Sequence, residues 1–213
     1  ERGGPVQDMV HFHAVKFQVV YCYRGWVKVV YEDQGEPFVM QAGDCVLQPP
    51  FIRHRVLESS PNLEVLEIAC PGEHNTMFDH HLALPNESVD PNRQWSGQQF
   101  VRHQRSEGTW VNSNFDFGYG FEIQDFGVEA ATSGMAQVRA VRPRQDMPPK
   151  PVKRPSSADF RLFFVLTGSA KVVCDEKEVK LAAGDSVNIP PTKIAEISAQ
   201  GADLEMLEIA LNL

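Results

Sequence analysis

The chain has 213 residues and a mass of 23.9 kDa, enough for one large or two small domains. Its composition, with 42% hydrophobic and 23% charged residues, is that of a globular protein able to bury a core. The net charge of −8 argues against a nucleic-acid binder or a protein that binds anionic membranes. No apolar run reaches the ~18 residues of a transmembrane helix, so we expect neither nucleic acid nor membrane as a partner.

The predicted elements are short β-strands. In chain order, the first part carries VKFQVVYCYRG, WVKVVYE, DCVLQPP, HRVLE and LEVLEIA, which are rich in Val, Tyr, Ile and Phe and are separated by Gly, Pro, Asn and Asp. Helix signals are weak, and the best candidate is one or two turns within residues 73–84. The polar stretch 85–109 is typical of a connection. Strands at this spacing predict a sandwich or a small barrel.

The sequence contains an internal repeat. GDCVLQPP at 43–50 recurs as GDSVNIPP at 184–191, and LEVLEIA at 63–69 recurs as LEMLEIA at 204–210, in both cases 141 residues later. GWVKVV at 25–30 matches GSAKVV at 168–173, where a shorter hairpin loop accounts for the offset of 143. We therefore predict two copies of one β-unit, the first over 1–84 and the second over 110–213, joined by 85–109.

The first copy lacks opening strands. Only ten residues precede His11, whereas the second copy has the whole stretch from Trp110 before the equivalent Arg154. An open barrel edge favours association. We therefore expect the first barrel to borrow a strand, either from residues 110–141 or from a second chain, and we expect a homodimer.

Three histidines form a candidate metal site in the first copy. His11 and His13 are two residues apart, so on a strand both imidazoles face the same side. Gln18 and Gly25 follow, and His54 comes after the Gly43-Asp44 turn. Imidazole is a common ligand of transition metals, so this constellation predicts one bound ion.

This arrangement resembles the cupin family, whose two motifs are G(x)5HxH(x)3–4E(x)6G and G(x)5PxG(x)2H(x)3N. The resemblance extends over both copies and implies an all-β bicupin, with two antiparallel β-barrels of the double-stranded β-helix or jelly-roll type. It also implies one divalent metal per site, held here by His11, His13, Gln18 and His54. Gln18 stands where the family usually has Glu, Phe51 stands where it has Gly, and Glu58 stands where it has Asn.

The uncharged ligands favour Lewis-acid chemistry over redox chemistry at the predicted metal site. Three imidazoles and one amide leave the full charge of a divalent ion uncompensated, which strengthens it as a Lewis acid for an anion or an enolate and gives less support to Fe(III). The residues do not select among Zn, Ni, Fe, Mn and Cu. Some cupins with a glutamine ligand act on unsaturated uronates without redox chemistry, and the resemblance implies that possibility.

Three functions remain open at the sequence level. The favoured one is a metal-dependent isomerase- or lyase-like enzyme acting on a small oxygen-rich anion. The second is an Fe(II) dioxygenase, and the third is a non-catalytic protein that binds or senses a small molecule. No catalytic residue is assigned: Glu67 is a possible general base, but Glu208 occupies the same place in the metal-free copy, which favours a structural role.

The second copy has lost the metal ligands. The equivalent positions carry Arg154, Ser156, Arg161 and Ala195. Arg154 and Arg161 could capture an anion. Pairing with a carboxylate such as Glu196 or Glu208 is the favoured alternative, because buried charges need partners.

Several other residues are candidates for a structural or binding role. Gln48 and Tyr21 are candidates for lining the first barrel. The cluster of His74, Asp79, His80 and His81 lies in a polar stretch and is not expected to hold a second metal. The cysteines, none of them in a CxxC pair, indicate reduced thiols and a cytoplasmic protein; they are Cys22, Cys45, Cys70 and Cys174.

Overall fold

The computed structural model describes residues 3–112 and 115–212. The chain forms two compact units, Glu1–Glu107 and Gly108–Leu213. Regular structure is almost entirely antiparallel β, and the one helix among the described residues is the short α1, Val128–Ala131. This confirms the all-β prediction. None of the described helices is long and apolar enough to cross a membrane.

The first unit is built from short strands in two main sheets. One is six-stranded, in the order β5-β4-β7-β2-β9 with β1 also paired to β7, and the other is four-stranded, in the order β12-β6-β3-β8. The strands are β1 Gly4–Pro5, β2 His11–His13, β3 Phe17–Arg24, β4 Trp26–Tyr31, β5 Phe38–Gln41, β6 Cys45–Leu47, β7 His54–Ser59, β8 Glu64–Cys70, β9 Thr76–Phe78, β10 Gln94–Trp95, β11 Gln98–Gln99 and β12 Val101–His103.

The core of the first unit is formed by apolar side chains from strands of both sheets. It contains Cys22, Val27, Val29, Tyr31, Met40, Val46, Ile52 and Trp95. Alternation along each strand directs these residues inward, as expected for strands with one solvated face.

Two stretches differ from the sequence expectations. The best helical candidate, within 73–84, contains strand β9 instead, because Thr76–Phe78 pair along β2 residue by residue. The stretch 85–109, expected to be only a connection, supplies β12, which pairs with β6 and completes the four-stranded sheet. Polar composition concealed this pairing, since β12 is an edge strand with an exposed Arg102 at its centre.

The second unit repeats the architecture with a fuller sheet. Its main sheet has the order β13-β15-β16-β24-β19-β22, and a four-stranded sheet has the order β18-β23-β20-β21. The strands are β13 Val111–Asn112, β14 Gly118–Tyr119, β15 Phe121–Asp125, β16 Ala136–Pro143, β17 Lys150–Pro151, β18 Arg154–Pro155, β19 Phe160–Thr167, β20 Ser169–Cys174, β21 Lys177–Ala182, β22 Ser186–Asn188, β23 Ile194–Ala199 and β24 Glu205–Leu211.

The two repeat-equivalent strands β8 and β24 have different surroundings. β24 lies between β16 and β19 and is buried throughout, whereas β8 pairs only with β3 and has several exposed side chains. Strands β13 and β15 lie within 110–141, β16 begins there, and all three belong to the sheet of the second unit. The expectation that residues 110–141 complete the first barrel is therefore wrong, and pairing with a second chain stays a prediction.

We expect the open edge of β8 to form the contact of a homodimer, because unpaired edge groups are templates for another strand. Val65 on β8 is 42% exposed, and Val65→Lys should convert the dimer into a species with the 23.9 kDa mass of one chain. Val179→Lys, at a 46% exposed position on the edge strand β21, is the matched control and should leave the dimer intact. Sedimentation of the three proteins tests this, and a monomeric parent chain would contradict it.

Candidate metal centre

The three predicted histidines come together on one face of the six-stranded sheet. His11 on β2 lies directly opposite His54, the first residue of β7, and His13 follows two residues after His11 on the same face. One ring nitrogen from each residue lies within 4.8 Å of the others. The ring centroids of His11 and His54 are 4.2 Å apart, and His13 lies 5.2 Å from His11 and 5.1 Å from His54. This is the geometry of a group that can share one ion.

Hydrogen bonds leave the same nitrogen free on each ring. Nδ1 of His11 is 2.8 Å from the Met9 carbonyl oxygen, and Nδ1 of His54 is 3.1 Å from the Ile52 carbonyl oxygen. Carbonyl oxygens only accept, so both Nδ1 atoms carry the proton and both Nε2 lone pairs are free. Nδ1 of His13 is engaged by the Thr76 hydroxyl at 3.0 Å. Such partners on the second nitrogen orient metal-ligating histidines, and the donor set therefore fits a transition metal.

Burial favours the neutral form of two of the three imidazoles, those of His54 and His13. His54 is 6% exposed, and burial, followed by the proximity of His11, lowers its pKa to about 3. Burial and then His11 also lower the pKa of His13. Neutral imidazole is the form that ligates a metal, so His54 and His13 are available to an ion with little competition from protons.

This depression of the His54 pKa predicts acid sensitivity of the metal-free protein. The unfolded chain takes up a proton at His54 near pH 6.5 and the folded chain does not, so stability should fall as pH drops from about 6.5 towards 3. The slope from this group is about 1.4 kcal/mol per pH unit. In His54→Asn the side chain can still donate to the Ile52 carbonyl but cannot titrate. Its free energy of unfolding, measured in urea at successive pH values, should therefore fall less steeply with decreasing pH than that of the parent chain. Equal slopes would contradict the prediction.

Gln18, the predicted fourth ligand, lies in a line of hydrogen bonds inside the barrel. The Tyr31 hydroxyl donates to Gln48 Oε1 at 2.9 Å, and Gln48 Nε2 donates to Gln18 Oε1 at 2.8 Å. Gln18 Nε2 then donates to Glu67 Oε1 at 2.6 Å. The amide oxygen of Gln18 retains one lone pair. Its role as a metal ligand stays a prediction, and the position of Gln48 agrees with the expected lining role.

Glu67 and its repeat-equivalent Glu208 are in contrasting environments. Glu208 is fully buried and binds two arginines, with Oε2 2.6 Å from Arg139 Nε and Oε1 2.7 Å from Arg161 Nη1. Glu67 is exposed and accepts a hydrogen bond from Gln18. The structural role favoured for Glu67 from its match to Glu208 is therefore weakened, because the two carboxylates have different partners.

Strand β9 brings further side chains to the centre that the sequence analysis did not assign to it. Thr76 lies opposite His13 and Phe78 lies opposite His11. The ring of His74 is 5.1 Å from that of His13, and its Nδ1 is 3.2 Å from the Pro71 carbonyl oxygen. The three residues of β9 are too few to show a strand period, and the helical interpretation of 73–84 also pointed away from a strand here.

Asp79 and Arg161, two other candidate residues, have structural partners. Asp79 accepts from Arg53 and from the backbone amides of His81 and Leu82, so it organises a loop. In the second unit Arg161 pairs with Glu208, so the favoured alternative is confirmed for Arg161 alone, and Arg154 is exposed rather than directed inward. Within residues 3–112 and 115–212 the one group of three or more close metal-ligating side chains of the His, Cys, Asp and Glu types is that of His11, His13 and His54.

Comparisons with known proteins support the fold. No protein-family model matches the sequence, and no curated protein is significantly similar to it. Salicylate 1,2-dioxygenase from Pseudaminobacter salicylatoxidans is 15% identical, with a TM-score of 0.66 over 97% of this chain and 68% of that one. Oxalate decarboxylase from Lactobacillus farciminis is 16% identical, with a TM-score of 0.65 over 100% of this chain and 74% of that one.

A third similar structure is the protein Ylba from E. coli, which is 13% identical, with a TM-score of 0.61 over 99% of this chain and 73% of that one. The chain thus spans about two thirds to three quarters of the length of these neighbours. All three are cupin-superfamily proteins, and identities this low establish the fold alone. The chain has the cupin jelly-roll fold.

Proposed function

We propose that the first unit binds one divalent transition metal through Nε2 of His11, His13 and His54 and acts on a small oxygen-rich anion by non-redox, isomerase- or lyase-like chemistry. The observation that carries the proposal is the orientation of three clustered imidazoles, each with Nδ1 engaged by a partner from the protein. Zn, Ni, Fe and Cu suit imidazole ligands best, and Mn, which prefers oxygen ligands, is the weakest of the five candidates.

The ligand set favours an anionic substrate. When bound, a divalent ion supplies Lewis-acid polarisation of a substrate oxygen. Three protein ligands are typical of catalytic rather than structural sites, which close their coordination with four. Because the imidazoles are uncharged, the positive charge of the site is left for the substrate to neutralise.

Glu67 is the proposed proton-transfer group. Its Oε1 is held by the amide of Gln18, which is in turn fixed by Gln48 and Tyr31, so the carboxylate has a defined position. Glu67 is exposed and can exchange protons with water, unlike Glu208 between its two arginines. Gln18 is then a positioning residue for Glu67 whether or not it also ligates the ion.

Substituting Gln18 by glutamate tests its placement. If the amide oxygen faces the ion, Gln18→Glu should tighten binding of a divalent metal at least about tenfold, because a negative charge near the ion adds more than 1.4 kcal/mol even at high effective dielectric. Gln18→Met, which is neutral and of similar size, is the control and should not tighten binding. Competition titration with a chelator measures both, and the two variants are also made with Glu67→Gln, since Gln18 contacts the Glu67 carboxylate and two carboxylates there would repel. Unchanged affinity of Gln18→Glu in that background would show that Gln18 is directed away from the ion.

A second candidate function is an Fe(II) dioxygenase, favoured by the likeness to structures of salicylate 1,2-dioxygenase. One assay distinguishes the non-redox enzyme from the dioxygenase. Metal-loaded protein is incubated with a panel of hydroxy- and keto-carboxylates with and without O2. Turnover that persists without O2 supports the non-redox function, whereas turnover that requires O2 and iron supports the dioxygenase.

A further inference from the structure

We propose that Phe78 makes the metal centre selective for planar aromatic carboxylates, an inference that rests on the proposed function and names its substrate class. The starting point is a large apolar side chain left exposed beside the histidines. Phe78 is 51% exposed and is not part of the buried core of the first unit. It lies on β9, the last strand of the six-stranded sheet.

The register directs Phe78 to the same side as the ligands. Phe78 lies directly opposite His11, and residues opposite each other in an antiparallel pair have side chains on the same face. The Phe78 and His11 ring centroids are 6.2 Å apart at 61°. His54 flanks His11 on its other side, so Phe78 forms the open border of the cluster.

A second ring restricts the orientation of Phe78. The imidazole of His80 is nearly parallel to it, at 29° and 6.5 Å between centroids. His11 and His80 are therefore both neighbours of an aromatic ring that remains half exposed to solvent. A substrate ring can reach this surface in the offset or edge-on geometries that aromatic pairs prefer, with centroids about 4.5–7 Å apart.

The metal centre and Phe78 recognise two different groups of one substrate, a carboxylate and an aromatic ring. The uncharged histidines leave a positive centre that attracts a carboxylate. Phe78 provides an apolar face at the distance of a neighbouring strand, about 4.5–5.5 Å between Cβ atoms, which a ring attached directly to the carboxylate can cover. A saturated ring of the same size lacks the quadrupole that favours stacking on phenylalanine.

The test compares the binding of three carboxylates to the metal-loaded chain: acetate, which has no ring, cyclohexanecarboxylate, which has a saturated ring, and benzoate, which has an aromatic ring. Calorimetric titration should show benzoate binding about tenfold more tightly than acetate, since an aromatic pair is worth up to about 1.5 kcal/mol beyond its burial. Cyclohexanecarboxylate should be weaker than benzoate. Phe78→Ala should remove the preference for benzoate while leaving acetate affinity and metal content unchanged, and Phe78→Leu should lose the discrimination between benzoate and cyclohexanecarboxylate.

Phe51→Ala is the matched control. Phe51 is 43% exposed, but its ring lies against Phe12, whose side chain points to the opposite face of β2 from the histidines. This variant should bind benzoate as the parent does. Equal affinity for benzoate and cyclohexanecarboxylate in the parent, or a benzoate affinity insensitive to Phe78→Ala, overturns the inference while the metal centre stands. A chain that takes up no metal overturns the proposed function itself.

Discussion

Replacing His54 by alanine should lower the affinity of the chain for a divalent transition metal at least about 100-fold. Loss of a residue that only orients a metal ligand typically costs 10–100-fold, and His54 is itself a proposed ligand. It is the most buried of the three imidazoles, and its Nδ1 is committed to the Ile52 carbonyl. Equilibrium dialysis against a metal buffer measures the effect.

The control for this prediction is His74→Ala. The ring of His74 is as close to His13 as that of His54, at 5.1 Å, but His74 lies outside the group whose nitrogens can share an ion. Its removal should therefore leave metal affinity within about threefold, the usual spread of single-contact effects. Equal losses in the two variants would show that the ion is held by a different set of imidazoles.

Glu208→Gln should destabilise the second unit by about 3–5 kcal/mol, because it leaves two buried guanidinium groups without their counter-charge. Arg139 and Arg161 are 6% and 4% exposed, and both donate to Glu208. The half-exposed Asp116, which also pairs with Arg161, cannot compensate for both. Urea unfolding should show the loss.

The internal repeat provides the matched control for this variant. Glu67→Gln makes the same change at the equivalent position of the first unit, where the carboxylate is exposed and accepts a hydrogen bond from the neutral Gln18, and should cost less than about 1 kcal/mol. Hydrogen exchange of peptides from β24 and β8 assigns each loss to its unit. Similar costs at the two positions would contradict the difference in environment that separates a structural glutamate from a proton-transfer group.

The sequence allows prediction of those features of the fold and site that depend on the order of residues within one short segment. The repeat, the strands and the pairing of His11 with His13 follow from alternation along one segment, and the cupin resemblance brought in His54. All three histidines lie together in the structure. The orientation of their Nδ1 atoms was not readable, because it depends on carbonyls and a hydroxyl positioned by tertiary structure.

The features missed depend on strands that are short or polar. β9 and β12 are too brief to show a period of their own and are strands only because β2 and β6 are available to pair with them. The contrast between Glu67 and Glu208 was likewise hidden, since LEVLEIA and LEMLEIA are nearly identical. Their surroundings differ because β24 is paired on both sides, with β16 and β19, whereas β8 is an edge strand paired only with β3.

The most direct test of the account is the number of metal ions per chain together with their ligands, measured by elemental analysis and X-ray absorption on the same sample. We predict one ion per chain, with three imidazole nitrogens at about 2.0–2.2 Å. In His11→Ala the ion should be lost while the second unit remains folded. Two ions per chain, no imidazole in the coordination sphere, or full retention of the ion in His11→Ala would contradict the account.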